Sequence, residues 1–170
     1  MRSLEPILVL TTGGTIDKQY FDALSEFTIV DSMVERLLST ARVTHPFEIR
    51  EVLRKDSILL NDEDRLCIRR HIAESPCQKV VITHGTDTMT HTAAALEGIA
   101  GKTIVLTGAL SPARFSESDA AFNVGMAFAC AQLAPPSVYI AMNGIVFRAR
   151  EVRKSRKDNQ FVPIGPAECT

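Results

Sequence analysis

Four short runs, at residues 7–10, 80–82, 104–106 and 138–141, are almost wholly apolar and rich in Val, Ile and Leu. A strand with one wet face alternates apolar and polar residues, whereas a run with no polar face has to be covered on both sides. Such strands belong to parallel sheets sandwiched between helices. A fifth run at 47–53, Phe-Glu-Ile-Arg-Glu-Val-Leu, alternates in part and is predicted to lie near a sheet edge.

The segments between these runs read as helices. Residues 31–41 carry Met33, Val34, Leu37 and Leu38 at helical spacing, with Asp31 or Ser32 as the cap. Residues 61–73 open Asn-Asp-Glu-Asp, acids at the positive end of a helix dipole, and then set Leu66, Ile68 and Ile72 as the apolar side. Residues 88–99 and 118–133 are rich in Ala, Met and Leu, the second with Asp119 in its first turn. This alternation predicts an α/β fold: a doubly wound, mostly parallel sheet in the three-layer Rossmann- or flavodoxin-like arrangement. No repeat or linker divides the 170 residues, so one domain is expected, with Pro135-Pro136 marking a helix-to-strand turn. The stretch from Arg148 onward is polar and basic, holds Pro163, Gly165 and Pro166, and reads as a lid-like loop or a frayed end.

Composition removes several classes of function. Lys and Arg number 19 against 20 Asp and Glu, and only 6% of residues are aromatic, so neither a basic field nor a stacking platform for nucleic acid is present. No run approaches the ~18 apolar residues of a membrane span. The N-terminal segment, with Glu5-Pro6 before a four-residue apolar run, does not read as a secretory signal, and a cytoplasmic location is expected. Cys67, Cys77, Cys130 and Cys169 form no C-x-x-C pair and read as reduced thiols. His45, His71, His84 and His91 match no metal-binding pattern, so neither a metal nor a cofactor is expected.

In a doubly wound sheet, ligands bind beyond the carboxyl ends of the strands. Two loops there are unusual. The first apolar run leads into Thr11-Thr12-Gly13-Gly14-Thr15-Ile16, and the run at 80–82 leads into Thr83-His84-Gly85-Thr86-Asp87-Thr88. Both offer glycines that let backbone N–H groups approach a ligand, and both set a threonine just after a glycine. Neither is a dinucleotide or P-loop motif. The first reads equally well as a tight turn, and in the second Asp87 and Thr88 suit a helix cap. A threonine hydroxyl is a poor nucleophile until a base acts on it. Asp87 is one candidate partner. A lysine from residues 148–157, with six basic residues and one acid, is another; a solvated basic face is the plain alternative for that segment.

Thr12-Gly13-Gly14-Thr15-Ile16 and His84-Gly85-Thr86-Asp87-Thr88 resemble the two signature motifs of bacterial-type L-asparaginases. Companions follow in order: Lys55-Asp56-Ser57, Leu106-Thr107-Gly108-Ala109-Leu110, Ser118 to Asn123, and the segment from Asn143 to Lys154. The resemblance runs from about residue 6 to residue 165 and looks like a short version of the family, ending where longer members begin a second domain. It implies hydrolysis of the side-chain amide of L-asparagine to L-aspartate and ammonia through a threonine acyl-enzyme. Thr15 would be the nucleophile, with Tyr20 matching the tyrosine of the neighbouring loop, which is shorter here. Thr86, Asp87 and Lys154 would form a second hydrogen-bonded set that moves protons, and either threonine fits as the first attacker. Ser57 would hold the substrate's α-carboxylate and Asp87 its α-ammonium, with backbone N–H groups of the second glycine loop as oxyanion donors.

Ile58 departs from the family's polar residue, often glutamine, in the substrate-binding set, so the resemblance implies weak affinity. Lys154 is expected to be partly buried beside Thr86 and Asp87, with Arg153, Arg156 and Lys157 pointing outward. A homo-oligomer, dimer or tetramer, is expected of a domain whose loops a partner normally covers. The rival readings are an L-glutamine or other ω-amide hydrolase and a non-catalytic amino-acid-binding domain; a tRNA-linked role fits poorly with the near-neutral charge.

Overall fold

The four apolar runs become the four central strands of one sheet. The computed structural model describes residues 4–165. In chain order its elements are β1 (Ile7–Thr11), β2 (Lys18–Phe21), β3 (Glu26–Ile29), α1 (Val34–Thr40), β4 (Phe47–Glu51), α2 (Asp62–Glu74), β5 (Lys79–Thr83), α3 (Met89–Ala95), β6 (Thr103–Thr107), α4 (Ala120–Leu133), β7 (Ser137–Met142), β8 (Ile145–Arg148), β9 (Val152–Ser155) and β10 (Gln160–Pro163). The main sheet has the order β4-β1-β5-β6-β7-β8. Its first five strands are parallel, and β8 pairs antiparallel with β7.

Every residue of β1 and β6 is buried, because alternate side chains enter two separate cores. Leu8, Leu10, Ile82, Ile104 and Ile140 pack with Ile68 and Ile72 of α2 and Met89 of α3. Ile7, Val9, Val81, Val105 and Tyr139 pack on the other face against Val34 and Leu38 of α1 and Phe128 of α4. The strand at 47–51 is an edge, as its partial alternation predicts. Among the described residues no helix is long and apolar enough to cross a membrane, and Cys67, Cys77 and Cys130 are free thiols. Cys169 and Pro166 lie outside the described residues.

Three sequence expectations are corrected and a fourth, the cap of α1, is narrowed. Leu66 is 58% exposed while Ile68 and Ile72 are fully buried. Residues two apart on a helix lie on opposite sides, so Leu66 cannot share the apolar stripe. Helix α1 begins only at Val34, and of the two expected caps Ser32 takes part: its Oγ accepts from Val34 N at 3.3 Å and donates to Asp17 Oδ1 at 3.0 Å, while the same carboxylate accepts from Met33 N at 2.9 Å. Asp31 instead pairs with Arg54 at 2.8 Å. Asp87 and Thr88 do not cap α3; both side chains are engaged elsewhere. The polar stretch after Arg148 is neither a loop nor frayed over its described part. It forms the β9–β10 hairpin, which buries Val152 and Phe161 in the core shared with α2 and α3. Two apolar anchors in a basic stretch are too few to reveal a strand by periodicity.

Candidate active site

From β1 the chain passes to β4 on one side and returns to β5 on the other, so the winding reverses between β1 and β5. At such a reversal the loops leaving neighbouring strands part and open a crevice. The two glycine loops are the loops in question. They are tied together at their bases: Thr12 N donates to Thr83 O at 3.1 Å, and Thr12 Oγ1 to the same carbonyl at 2.9 Å. The loop at 55–57 joins them, with Gly14 N donating to Lys55 O at 3.1 Å.

Glycine is required where these loops cross. Gly14 has φ +88°, and a Cβ there would collide with the backbone N of Gly85. A Cβ on Gly85 would stand 2.6 Å from Ser57 Oγ. Thr15 and Thr86 each follow one of the two touching glycines, which is how distant segments come to face one crevice.

The second loop joins the basic hairpin. Lys154 Nζ donates to Thr86 Oγ1 and to Asp87 Oδ1, each at 2.6 Å. The lysine side chain is 9% exposed and that of Asp87 44%. Strand β9, pinned by its buried Val152, carries the lysine into this position. Thr88 Oγ1 donates to Ser57 O at 2.7 Å, binding the 84–88 loop to the 55–57 loop.

Thr15 opens a short 3-10 turn and lines a cavity of about 210 Å³ with Lys18, Phe27 and Pro112. Lys18 was not anticipated from sequence. It pairs with Asp56 at 2.6 Å and so fastens the β2–β3 hairpin to the 55–57 loop. Burial acts to raise the Asp56 carboxyl, but the Lys18 ammonium outweighs it and leaves that pKa lowered. Tyr20 does not share the Thr15 cavity. It packs on Phe27 at 5.1 Å and lines a separate groove with Arg36 and Phe115.

Ser57 is 1% exposed, and its hydroxyl has no hydrogen-bond partner among the described residues. Ile58 is 63% exposed and lines a cavity of about 350 Å³ with Asp87, Lys154, Arg156 and Asn159. Arg153 and Lys157 are exposed as expected. Arg156 is exposed too, but it does not stand clear of the site, because its side chain forms part of this cavity wall. No local signal marks this, because Arg156 lies in the β9–β10 turn, past the end of the strand that carries Lys154.

His84 supports the crevice from beneath. It is fully buried, with Nδ1 2.6 Å from Gly85 O and Nε2 2.8 Å from Thr92 Oγ1. Burial pushes its pKa down to about 4, against the effect of the Gly85 hydrogen bond. The unfolded chain, near 6.5, therefore takes up the proton first. This contribution to stability is complete above pH ~6.5, declines as the pH falls, and has lost about 2 kcal/mol by pH 5. Urea midpoints at pH 7.5 and pH 5 should differ accordingly, and His84→Gln should flatten the difference; an equally steep loss in that variant would remove His84 as the cause.

Fold and crevice together define a class: a doubly wound α/β domain whose switch point binds a hydroxyl, an ammonium and a carboxylate into one hydrogen-bonded set. The sequence matches the family described as "Asparaginase, N-terminal" over residues 6–161, and the chain belongs to that family. It is 34% identical over 158 residues to the L-asparaginase of Thermococcus kodakarensis, covering 87% of this chain and 47% of that protein. It is 28% identical over 163 residues to the glutaminase-asparaginase of Acinetobacter glutaminasificans, covering 87% and 49%. The crystal structure of L-asparaginase I from Vibrio cholerae superposes with a TM-score of 0.82 at 29% identity, over 94% of this chain and 51% of that one. The chain spans about half the length of the relatives it matches.

Proposed function

We infer that this domain is an amidohydrolase that converts L-asparagine to L-aspartate and ammonia. The observation that carries the reading is the placement of Lys154 Nζ 2.6 Å from both Thr86 Oγ1 and Asp87 Oδ1. Lys154 can pass a proton to the leaving nitrogen and take up the one that a threonine hydroxyl, or a water beside it, gives up on attacking a carbonyl, with the Asp87 carboxylate stabilising the ammonium. Thr15 or Thr86 adds to the amide carbon, the C–N bond breaks, and the nitrogen leaves with a proton as ammonia. Water then cleaves the ester, returning the proton to the hydroxyl. Asp87, with part of its surface open, faces the substrate's α-ammonium.

A second reading, L-glutamine as substrate, is favoured by the name of the Acinetobacter relative, glutaminase-asparaginase. Ammonia release from asparagine and from glutamine, measured side by side, tests both. Faster release from asparagine is expected; a preference for glutamine selects the second reading, and no ammonia from either overturns the hydrolase.

A cytoplasmic homo-oligomer belongs to the same proposal. Phe122 and Ile145 stand 64% and 48% exposed, which supports self-association. Sedimentation at micromolar protein is expected to show a species heavier than one 18.7 kDa chain. A lone species of that mass excludes it.

A further inference from the structure

The cavity beside Asp87 contains a cation that the catalytic set does not use. Its wall combines Lys154 and Asp87, already paired at 2.6 Å, with Arg156, Asn159 and the apolar Ile58. One positive charge is therefore left over, and the Arg156 guanidinium makes no ion pair or hydrogen bond to another described residue. We propose that Arg156, presented by the β9–β10 turn, binds the substrate's α-carboxylate in this cavity. The inference rests on the amino-acid amide hydrolase reading and names a specificity residue for it.

Three observations support the assignment. First, Ser57, which the resemblance would give this task, is 1% exposed, and its hydroxyl is buried beside the equally buried Gly85, so it presents almost no surface to a solute. Ile58, next in the chain, has no donor to offer. Second, the turn that carries Arg156 is held in shape. Ser155 and Gln160 pair across the hairpin, Ser155 Oγ donates to Asp158 Oδ2 at 2.7 Å, and Asn159 adopts φ +50°. Asn159 thus reaches the same cavity and adds an amide donor. Third, the charges match an amino acid. Asp87 suits an α-ammonium, and a guanidinium fork suits a carboxylate, which it can bind with two parallel N–H···O bonds. The hairpin that brings the catalytic lysine to Thr86 would then also bring the group that orients the substrate.

The experiment measures two quantities on wild type, Arg156→Gln and Arg156→Lys: steady-state hydrolysis of L-asparagine and of its α-methyl ester, and calorimetric binding of L-aspartate. In Arg156→Gln, kcat/KM for asparagine should fall roughly 10–100-fold, chiefly through KM, the scale of a charge-assisted hydrogen bond. The ester, which lacks the anion, should be hydrolysed at an unchanged kcat/KM, and Arg156→Lys should recover part of the loss. Aspartate affinity should fall in step. Retained aspartate affinity in Arg156→Gln overturns the inference, whether or not ammonia is released. An equal loss on asparagine and ester also overturns it, because a merely structural role would affect both. Aspartate binding that depends on Arg156 in a chain that releases no ammonia overturns the hydrolase reading and leaves the inference standing. A wild type that does not bind aspartate overturns the inference, while its release of ammonia from asparagine decides the hydrolase reading separately.

Discussion

Thr86→Ala and Lys154→Arg are each expected to lower asparagine turnover by at least ~10²–10⁴-fold, the range general acid–base assistance supplies. Thr86→Ala removes the hydroxyl 2.6 Å from Lys154 Nζ. Lys154→Arg keeps the charge, but a guanidinium does not give up its proton near neutral pH, and its planar fork does not fit a site shaped for an ammonium that is 9% exposed. Thr15→Ala should cost as much if Thr15 is the nucleophile. Thr86→Ser, which restores the hydroxyl, should recover much of the rate, and Lys157→Arg, exposed and outside the cavity, should leave it unchanged. All variants should keep the circular dichroism and melting temperature of the parent to within a few degrees. Turnover within tenfold of wild type in both Thr86→Ala and Lys154→Arg would detach the basic hairpin from the chemistry.

Gly14→Ala should produce a large loss of stability from a single added methyl. The residue has φ +88° and ψ −173°, a region almost confined to glycine, and holding alanine there costs ~1–3 kcal/mol by itself. The added Cβ would also stand 2.5 Å from Gly85 Cα, and that neighbour is backbone fixed through His84, whose N donates to Thr107 O at 2.9 Å and whose Nδ1 lies 2.6 Å from Gly85 O. A total above ~3 kcal/mol is expected, a large share of the ~5–15 kcal/mol that holds a native domain together, and equivalent to a fall in Tm of ~6–12 °C. Gly98→Ala is the matched control. Its φ of +79° is also left-handed, but nothing lies within 4 Å of the added carbon, so only the backbone strain remains. If the two variants melt together, the crossing of the glycine loops is looser than their contacts imply.

Legibility in the sequence followed the range of the interactions. Strands 7–11 and 103–107 were visible because burial on both faces leaves a run without polar residues. The start of α2 was visible because its capping box, Asn61 with Asp64, lies within four consecutive residues. The second glycine loop was visible as chemistry, although a helix cap competed for Asp87 and Thr88; the fold directs both away, to Lys154 and to the Ser57 carbonyl. Leu66 was misplaced because composition was followed where angular position decides.

By itself, then, the sequence determined the parallel strands, the helices between them, and the two glycine-threonine loops at strand ends, since each depends on residues a few positions apart. Only the tertiary structure decided that β1 and β5 are the neighbours flanking the reversal, that Gly14 abuts Gly85, and that residues 152–163 form a hairpin. It also decided that Lys154 meets a threonine 68 positions earlier and that Arg156 enters the same cavity. The reason is physical: periodicity and capping are written in local spacing, whereas strand order and the docking of a polar hairpin depend on which distant apolar surfaces exclude water together.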